Sequence, residues 1–298
     1  MSIVLETNGL TKHYGNIIAV NDLNLQIHSG SVFGILGPNG SGKTTTLAMI
    51  LGVVLPTSGQ FSWFQSGNSA DQRKRIGAIL ETPNFYPHLN AQKNLEIVAN
   101  IRGTEKPNLQ KIIDLVGLGH RATSPFKSYS LGMKQRLAIG ATLIGNPDVL
   151  IFDEPTNGLD PEGIAEVRGI LLQIAQEGKT ILFASHMLEE VEKICSDVAI
   201  IKRGKLLASG SVSDMLNTNP LIEVASLDAE HLRHTLNAID FVSEVLTQTG
   251  GKFLVKCEGT PDAVRLNRAL TEKGVFVSHL LLKNKSLEAE FLDIINAK

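Results

Sequence analysis

Eight consecutive residues, Gly37-Pro38-Asn39-Gly40-Ser41-Gly42-Lys43-Thr44, satisfy the spacing G-x-x-x-x-G-K-[ST]. They lie between an apolar strand-like run and a helix-like one, the context in which that spacing forms a phosphate-binding loop. Gly37, Gly40 and Gly42 let the backbone turn tightly and aim successive N–H groups inward, at the positive end of a helix. Lys43 has the reach to pair with the β and γ phosphates of a nucleoside triphosphate, and the Thr44 hydroxyl suits the Mg²⁺ that bridges them. A plain connecting turn would need glycine but neither the lysine nor the threonine.

A second stretch, Val149 to Asp160 (VLIFDEPTNGLD), begins as a buried strand and ends in adjacent carboxylates, Asp153 and Glu154. In open α/β sheets ligands sit at the C-terminal ends of the strands, so this pair and the phosphate loop are expected to meet. Asp153 then suits Mg²⁺, and Glu154 suits the orientation or activation of an attacking water. The bland alternative is an acidic surface turn. A further strand, Thr180 to Ala184, runs into Ser185-His186. The imidazole fits either a satisfied structural histidine or a donor to a γ-phosphate oxygen. Tyr14, expected in a polar loop, KHYGN, fits either core packing or stacking on a nucleotide base.

These residues need a scaffold, and the hydrophobic pattern describes one. Strands are expected at Ile3–Leu10, Ile17–Ile27 and Val32–Leu36, then Gly59–Phe64 and Ile76–Leu80. The last of these runs into Glu81 and TPNFYPHL, whose prolines and asparagine predict an exposed loop. Residues 90 to 145 read as helical in three segments, Asn90–Ile101, Leu109–Val116 and Gly132–Ile144, an insertion into an α/β pattern. After Asp197 a hairpin turns at Arg203-Gly204. Residues 221 to 298 alternate as βαββαβ with a last helix at Ser286–Ala297, the order of a small ferredoxin-like α+β module. His231 and His234 in that module lack a carboxylate or cysteine partner and read as solvated surface.

A chain of 298 residues has room for about two domains. Lys plus Arg number 28 against 30 Asp plus Glu, so no basic excess points to nucleic acid. Cys195 and Cys257 form no C-x-x-C, and reduced thiols in a cytosolic setting are expected. No apolar run of about 18 residues and no leader-like N-terminus is visible, so any membrane spans would have to come from another chain.

Together with Ser130-Leu131-Gly132-Met133-Lys134-Gln135-Arg136, the residues above resemble the ATP-binding subunit of an ABC transporter over roughly residues 1 to 218. The resemblance implies an α/β phosphate-loop ATPase core with an antiparallel β subdomain and a helical subdomain at about 82–145, together making residues 1–219. Residues 220–298 are then the accessory α+β domain. It implies that Tyr14 stacks on adenine, that Gly37 to Thr45 form the Walker A loop, and that Asp153 and Glu154 form Walker B. Leu159 and Asp160 are then the D-loop, Asp160 lying near nucleotide, and His186 is the switch histidine, with Lys43, Glu154 and His186 catalytic. Two copies are expected head to tail, each ATP held between one phosphate loop and Ser130 and Gly132 of the other copy. A separate transmembrane permease and a place on the inner face of the cell membrane complete the expectation.

Two departures stand out. The family signature usually reads LSGGQ, and here its first glycine is Leu131, a residue strained at positive φ, so an ordinary backbone is expected there. The glutamine of the Q-loop is replaced by Glu81, a carboxylate that could itself ligate Mg²⁺. The string SLGMKQR resembles the bacitracin and lantibiotic self-protection branch of exporters. Besides an exporter subunit, a soluble ABC-type ATPase and a regulatory ATP switch that hydrolyses little are compatible with the residues. Cargo is not encoded in this chain.

Overall fold

The computed structural model describes residues 2–67, 69–80, 84–105, 107–217, 221–248, 250–283, 287–288, 291 and 294. The chain divides into two compact units, Met1–Ser211 and Val212–Lys298. The boundary expected at 219/220 falls outside the described residues.

The first unit opens with β1 (Ile3–Tyr14), β2 (Ile17–His28) and β3 (Val32–Leu36), followed by α1 (Lys43–Ile50), β4 (Ser58–Trp63), α2 (Ala70–Lys74) and β5 (Ile76–Ile79). Three helices follow, α3 (Ala91–Arg102), α4 (Leu109–Leu115) and α5 (Leu131–Thr142), then β6 (Val149–Asp153), α6 (Pro161–Gln176), β7 (Thr180–Ser185), α7 (Leu188–Ile194), β8 (Asp197–Lys202) and β9 (Lys205–Ser211). One sheet has the order β5-β6-β7-β3-β8-β9, parallel except for β9. A second, antiparallel sheet has the order β2-β1-β4. This is the α/β core with an antiparallel β subdomain and a helical insertion that the sequence predicts.

The strands that carry the site are buried along their whole length: β3 (VFGIL), β6 (VLIFD) and β7 (TILFAS). Parallel strands covered on both faces require such unbroken apolar runs. Register brings their ends level, Leu36 opposite Ser185 and Asp153 opposite Ala184. The phosphate loop, the carboxylate pair and His186 therefore leave the sheet at one edge.

Two local readings change. β1 continues through Lys12, His13 and Tyr14, pairing Tyr14 with Ile17 across a two-residue turn at Gly15-Asn16. Tyr14 thus ends a strand rather than lying in a loop, because cross-strand pairing overrides the polar composition of KHY. The five-residue α2, capped by Ser69 accepting from the Gln72 amide, is absent from the sequence reading, since one and a half turns give no periodic signal.

The second unit contains α8 (Val212–Asn217), β10 (Leu221–Ser226), α9 (Ala229–Asn237), β11 (Val242–Thr247), β12 (Lys252–Cys257), α10 (Ala263–Glu272) and β13 (Val277–Lys283). Its sheet has the order β11-β12-β10-β13 with every neighbour antiparallel. In the order of its own strands that is 2-3-1-4, the split arrangement of a ferredoxin-like unit. Ile222, Val224, Phe253 and Val255 from the sheet pack against Leu232, Leu236, Leu266 and Leu270 from the helices. His231 and His234 are both exposed, as the pattern predicts. Of the expected last helix, only Leu287, Glu288, Phe291 and Ile294 are described, and all four are helical.

Candidate functional site

The phosphate loop is shaped by two different demands on glycine. Gly40 and Gly42 have positive φ, +77° and +106°. Gly37 does not, and is glycine for lack of room, because a Cβ there would stand 2.3 Å from the Ile201 carbonyl and 2.4 Å from Ser41 Oγ. The brace behind the loop is the β8–β9 turn, where the Gly204 amide donates to the Ser41 carbonyl at 2.8 Å and the Gly204 carbonyl accepts from the Asn21 amide at 2.8 Å. In sequence Arg203-Gly204 reads only as a hairpin turn, and local pattern carries no signal for that tertiary contact.

Lys43 is 6 % exposed and curls into the mouth of the loop. Its Nζ donates to the Gly37 carbonyl at 2.8 Å and lies 3.3 Å from Glu154 Oε1. Glu154 has φ +49°, a left-handed backbone that costs a non-glycine residue roughly 1–3 kcal/mol. Its amide donates to the Ala184 carbonyl at 2.9 Å, and its second oxygen, Oε2, is 2.8 Å from His186 Nδ1. Against a carboxylate, which only accepts, Nδ1 is the donor of this contact, and His186 Nε2 is left for another partner. The structure thus joins Lys43, Glu154 and His186, taken from the ends of three different connections, into one linked cluster.

The remaining loop residues precede or open α1. Thr44 is exposed and Thr45 half-buried in the first turn of α1, and Pro38 and Asn39 form the approach to the loop. Asp153, the last residue of β6, is buried. A threonine hydroxyl and a carboxylate are hard oxygen donors of the kind Mg²⁺ takes alongside phosphate oxygens. Glu81, the other metal candidate, lies outside the described residues. Tyr14 is 48 % exposed, with Lys12 Nζ 5.1 Å from its ring centre, so it is not a core residue. Its hairpin reaches the loop through β2, whose Ala19 carbonyl leaves no space for a Cβ on Gly42.

A second group stands apart. Ser130 caps α5 by accepting from the Met133 amide, and Asp160 caps α6 by accepting from the Gly163 amide at 2.9 Å. With Gly132, Leu159 and Glu166 they line a cavity of about 340 Å³. Among the described residues this group shares no hydrogen bond with the phosphate-loop cluster. Leu131 is the first helical residue of α5, and neither it nor Gly132 has positive φ, as expected. Its side chain leans on the turn before α6, where a Cβ on Gly158 would stand 3.3 Å from Leu131 Cδ2.

Of the loop after β5, Asn84 and Tyr86 are exposed, while Phe85 packs edge-on against Phe126 with ring centres 5.2 Å apart. Asn94 clamps this loop, accepting from the Tyr86 amide and donating to the Tyr86 carbonyl. That buried asparagine escaped the sequence reading because nothing local distinguishes it from a surface residue of α3.

A phosphate loop, a strand-end carboxylate pair and a histidine on one edge of a mainly parallel sheet define a phosphate-loop nucleotide hydrolase. The ABC transporter family pattern matches residues 20–157. The chain is 37% identical over 301 residues to the bacitracin transport ATP-binding protein BcrA of Bacillus licheniformis, covering 99% of this chain and 98% of that one. It is 38% identical over 226 residues to the lantibiotic transport ATP-binding protein SrtF of Streptococcus pyogenes, covering 74% and 99% respectively. Among solved structures, cbiO1 of Clostridium perfringens, part of the ABC transporter complex cbiONQ, superposes with a TM-score of 0.64 at 28% identity over 72% of this chain and 90% of that one. The chain belongs to the ATP-binding subunits of ABC transporters, and it is an ATPase.

Proposed function

We propose that this subunit binds MgATP in a head-to-tail pair of identical chains and drives export through a separately encoded membrane subunit. The observation that carries the hydrolytic part is the Lys43–Glu154–His186 cluster at the mouth of the phosphate loop. Lys43 and the loop amides bind the β and γ phosphates. A γ-phosphate that engages Lys43 frees Glu154 Oε1 to accept a proton from the attacking water, while His186 holds Oε2 and keeps the carboxylate aimed. Thr44 and Asp153 would hold Mg²⁺, whose chemistry is to neutralise charge on the phosphate oxygens. Tyr14 offers a face for adenine.

The paired arrangement is supported by the separation of Ser130, Gly132 and Asp160 from the loop of their own chain. A serine hydroxyl and a glycine amide at a helix start suit a phosphate oxygen brought by a second copy. Among the described residues no helix is long and apolar enough to cross a membrane. A groove of about 380 Å³ bounded by Ile79, Asn84, Phe85, Val98 and Ala138 suits an apolar helix of that partner, with Tyr86 beside it. Export is the direction suggested by the resemblance of SLGMKQR to the self-protection branch.

The test uses Glu154→Gln with MgATP. It is expected to elute as a dimer with trapped ATP, and adding Ser130→Arg is expected to return it to monomer. A monomer in the first case, or an undiminished dimer in the second, would overturn the shared-nucleotide reading.

A further inference from the structure

Helix α7 begins two residues after His186 of the phosphate-loop cluster, and α6 begins just after Asp160 of the second group. An ion pair outside both groups joins the two helices. Arg168 Nη1 on α6 donates to Glu190 Oε1 on α7 at 2.8 Å, with the Glu190 side chain 5% exposed. The other carboxylate oxygen, Glu190 Oε2, is buried without a hydrogen-bond partner. Desolvating such a pair takes back much of its attraction, and an apolar pair of similar volume would hold the helices together at least as well. In some proteins what an ion pair adds over an apolar contact is a fixed register between two elements.

Register matters at this place. α7 has only seven residues, too few to be stable alone, so packing decides where it lies. On one side it rests on β3 at Gly34, where a Cβ would come within 2.8 Å of Val191 Cγ1. On the other it is held by Arg168. α6 is anchored in turn to the signature helix α5, where Arg136 Nη2 lies 3.5 Å from Glu166 Oε2 and Nη1 donates to the Val116 carbonyl. The chain entering α7 is the segment that carries His186, and the Met187 amide donates to Ser185 Oγ at 2.9 Å.

We infer that Arg168 and Glu190 are positioning residues for hydrolysis: they fix α7, and with it the His186 ring on Glu154, against the helix that starts at Asp160. The inference rests on the role proposed above for His186. Both residues lie outside the phosphate loop and pair with each other, so the effect is expected on turnover and not on ATP affinity.

In the full chain, Glu190→Gln is expected to lower kcat roughly ten- to hundredfold, the size of loss a small misplacement of a catalytic group causes. KM for ATP should stay within about twofold, because ground-state binding is untouched. Arg168→Ala should reproduce the loss, and Arg168→Lys, which keeps the charge, should recover most of it. Placed on a His186→Ala background, Glu190→Gln should add almost nothing, since the group it positions is gone. Wild-type kcat in Glu190→Gln, or the same fold-loss in both backgrounds, would overturn the inference. Full turnover in His186→Ala alone would overturn the His186 reading first, and this one with it.

Discussion

Among the described residues, two carboxylates are each held by lysine and histidine, one in each unit. Glu154 lies 3.3 Å from Lys43 and 2.8 Å from His186, and Glu223 lies 2.8 Å from both Lys252 and His279, with Lys283 at 3.2 Å. The side-chain chemistry is nearly the same. The backbones differ: Glu154 follows a strand, at φ +49°, and its partners come from the start of α1 and the bend after β7. Glu223 is in the middle of β10, and its partners come from the neighbouring strands β12 and β13, with Lys252 and His279 both opposite Ala225 and Lys283 opposite Leu221. A cluster whose members leave the sheet at one edge can receive a ligand. One whose members are locked by cross-strand pairing tethers a sheet, and the constellation of residue types does not separate the two.

The sharpest way to break this contrast is to make the same substitution in both places. Glu154→Gln should lower kcat for ATP hydrolysis by roughly 10²- to 10⁴-fold, the usual scale for losing a general base. Glu223→Gln should leave kcat within about twofold, as expected of a group that contributes nothing to the transition state. Steady-state turnover of the two purified variants checks this, and equal losses would show that the second cluster also serves the reaction.

Acid titration gives a smaller difference. Hydrogen bonds from Lys252 and then Lys283 hold the Glu223 carboxyl down, from its usual 4.5 to about 2. A carboxylate depressed in the folded state contributes stability that is complete above its unfolded pKa and is lost as pH falls through the folded one. The unit Val212–Lys298 should therefore weaken progressively between about pH 4.5 and pH 2. Thermal melts of the full chain across that range should show the acid limb flattened in Glu223→Gln, and an unchanged limb would remove Glu223 from the account.

The smallest expected effect separates the helix-capping job of Asp160 from the nucleotide contact proposed for it. Asp160→Ala should destabilise by about 1 kcal/mol through loss of the α6 cap, whereas Asp160→Asn, an equally good cap, should melt like the wild type. If Asp160→Asn nevertheless reduces nucleotide trapping in the Glu154→Gln background, the carboxylate acts at the nucleotide as well as at the helix end.

Much of the fold was legible because its signals are local. β3, β6 and β7 are short apolar runs, and the insertion reads as three helical segments. Tyr14 was misplaced by its polar neighbours, and α2 was too short to register. In the site, the order of the phosphate loop, Asp153-Glu154 and His186 marked the three strand ends, and parallel pairing brought them level. Arg168 with Glu190, the Asn94 clamp and the Gly204 brace left no local trace, because each depends on an element distant in sequence.

Residue types and spacing by themselves determined that this chain has a triphosphate loop, a carboxylate pair and a ferredoxin-like tail, since each is a property of a few contiguous residues and their periodicity. Only the tertiary structure decided which carboxylate faces the loop, which residue backs Gly37, and which helices are tied together. Those outcomes depend on the order and register of strands far apart in the chain, and long-range pairing is set by the packing of the whole sheet, not by any one segment.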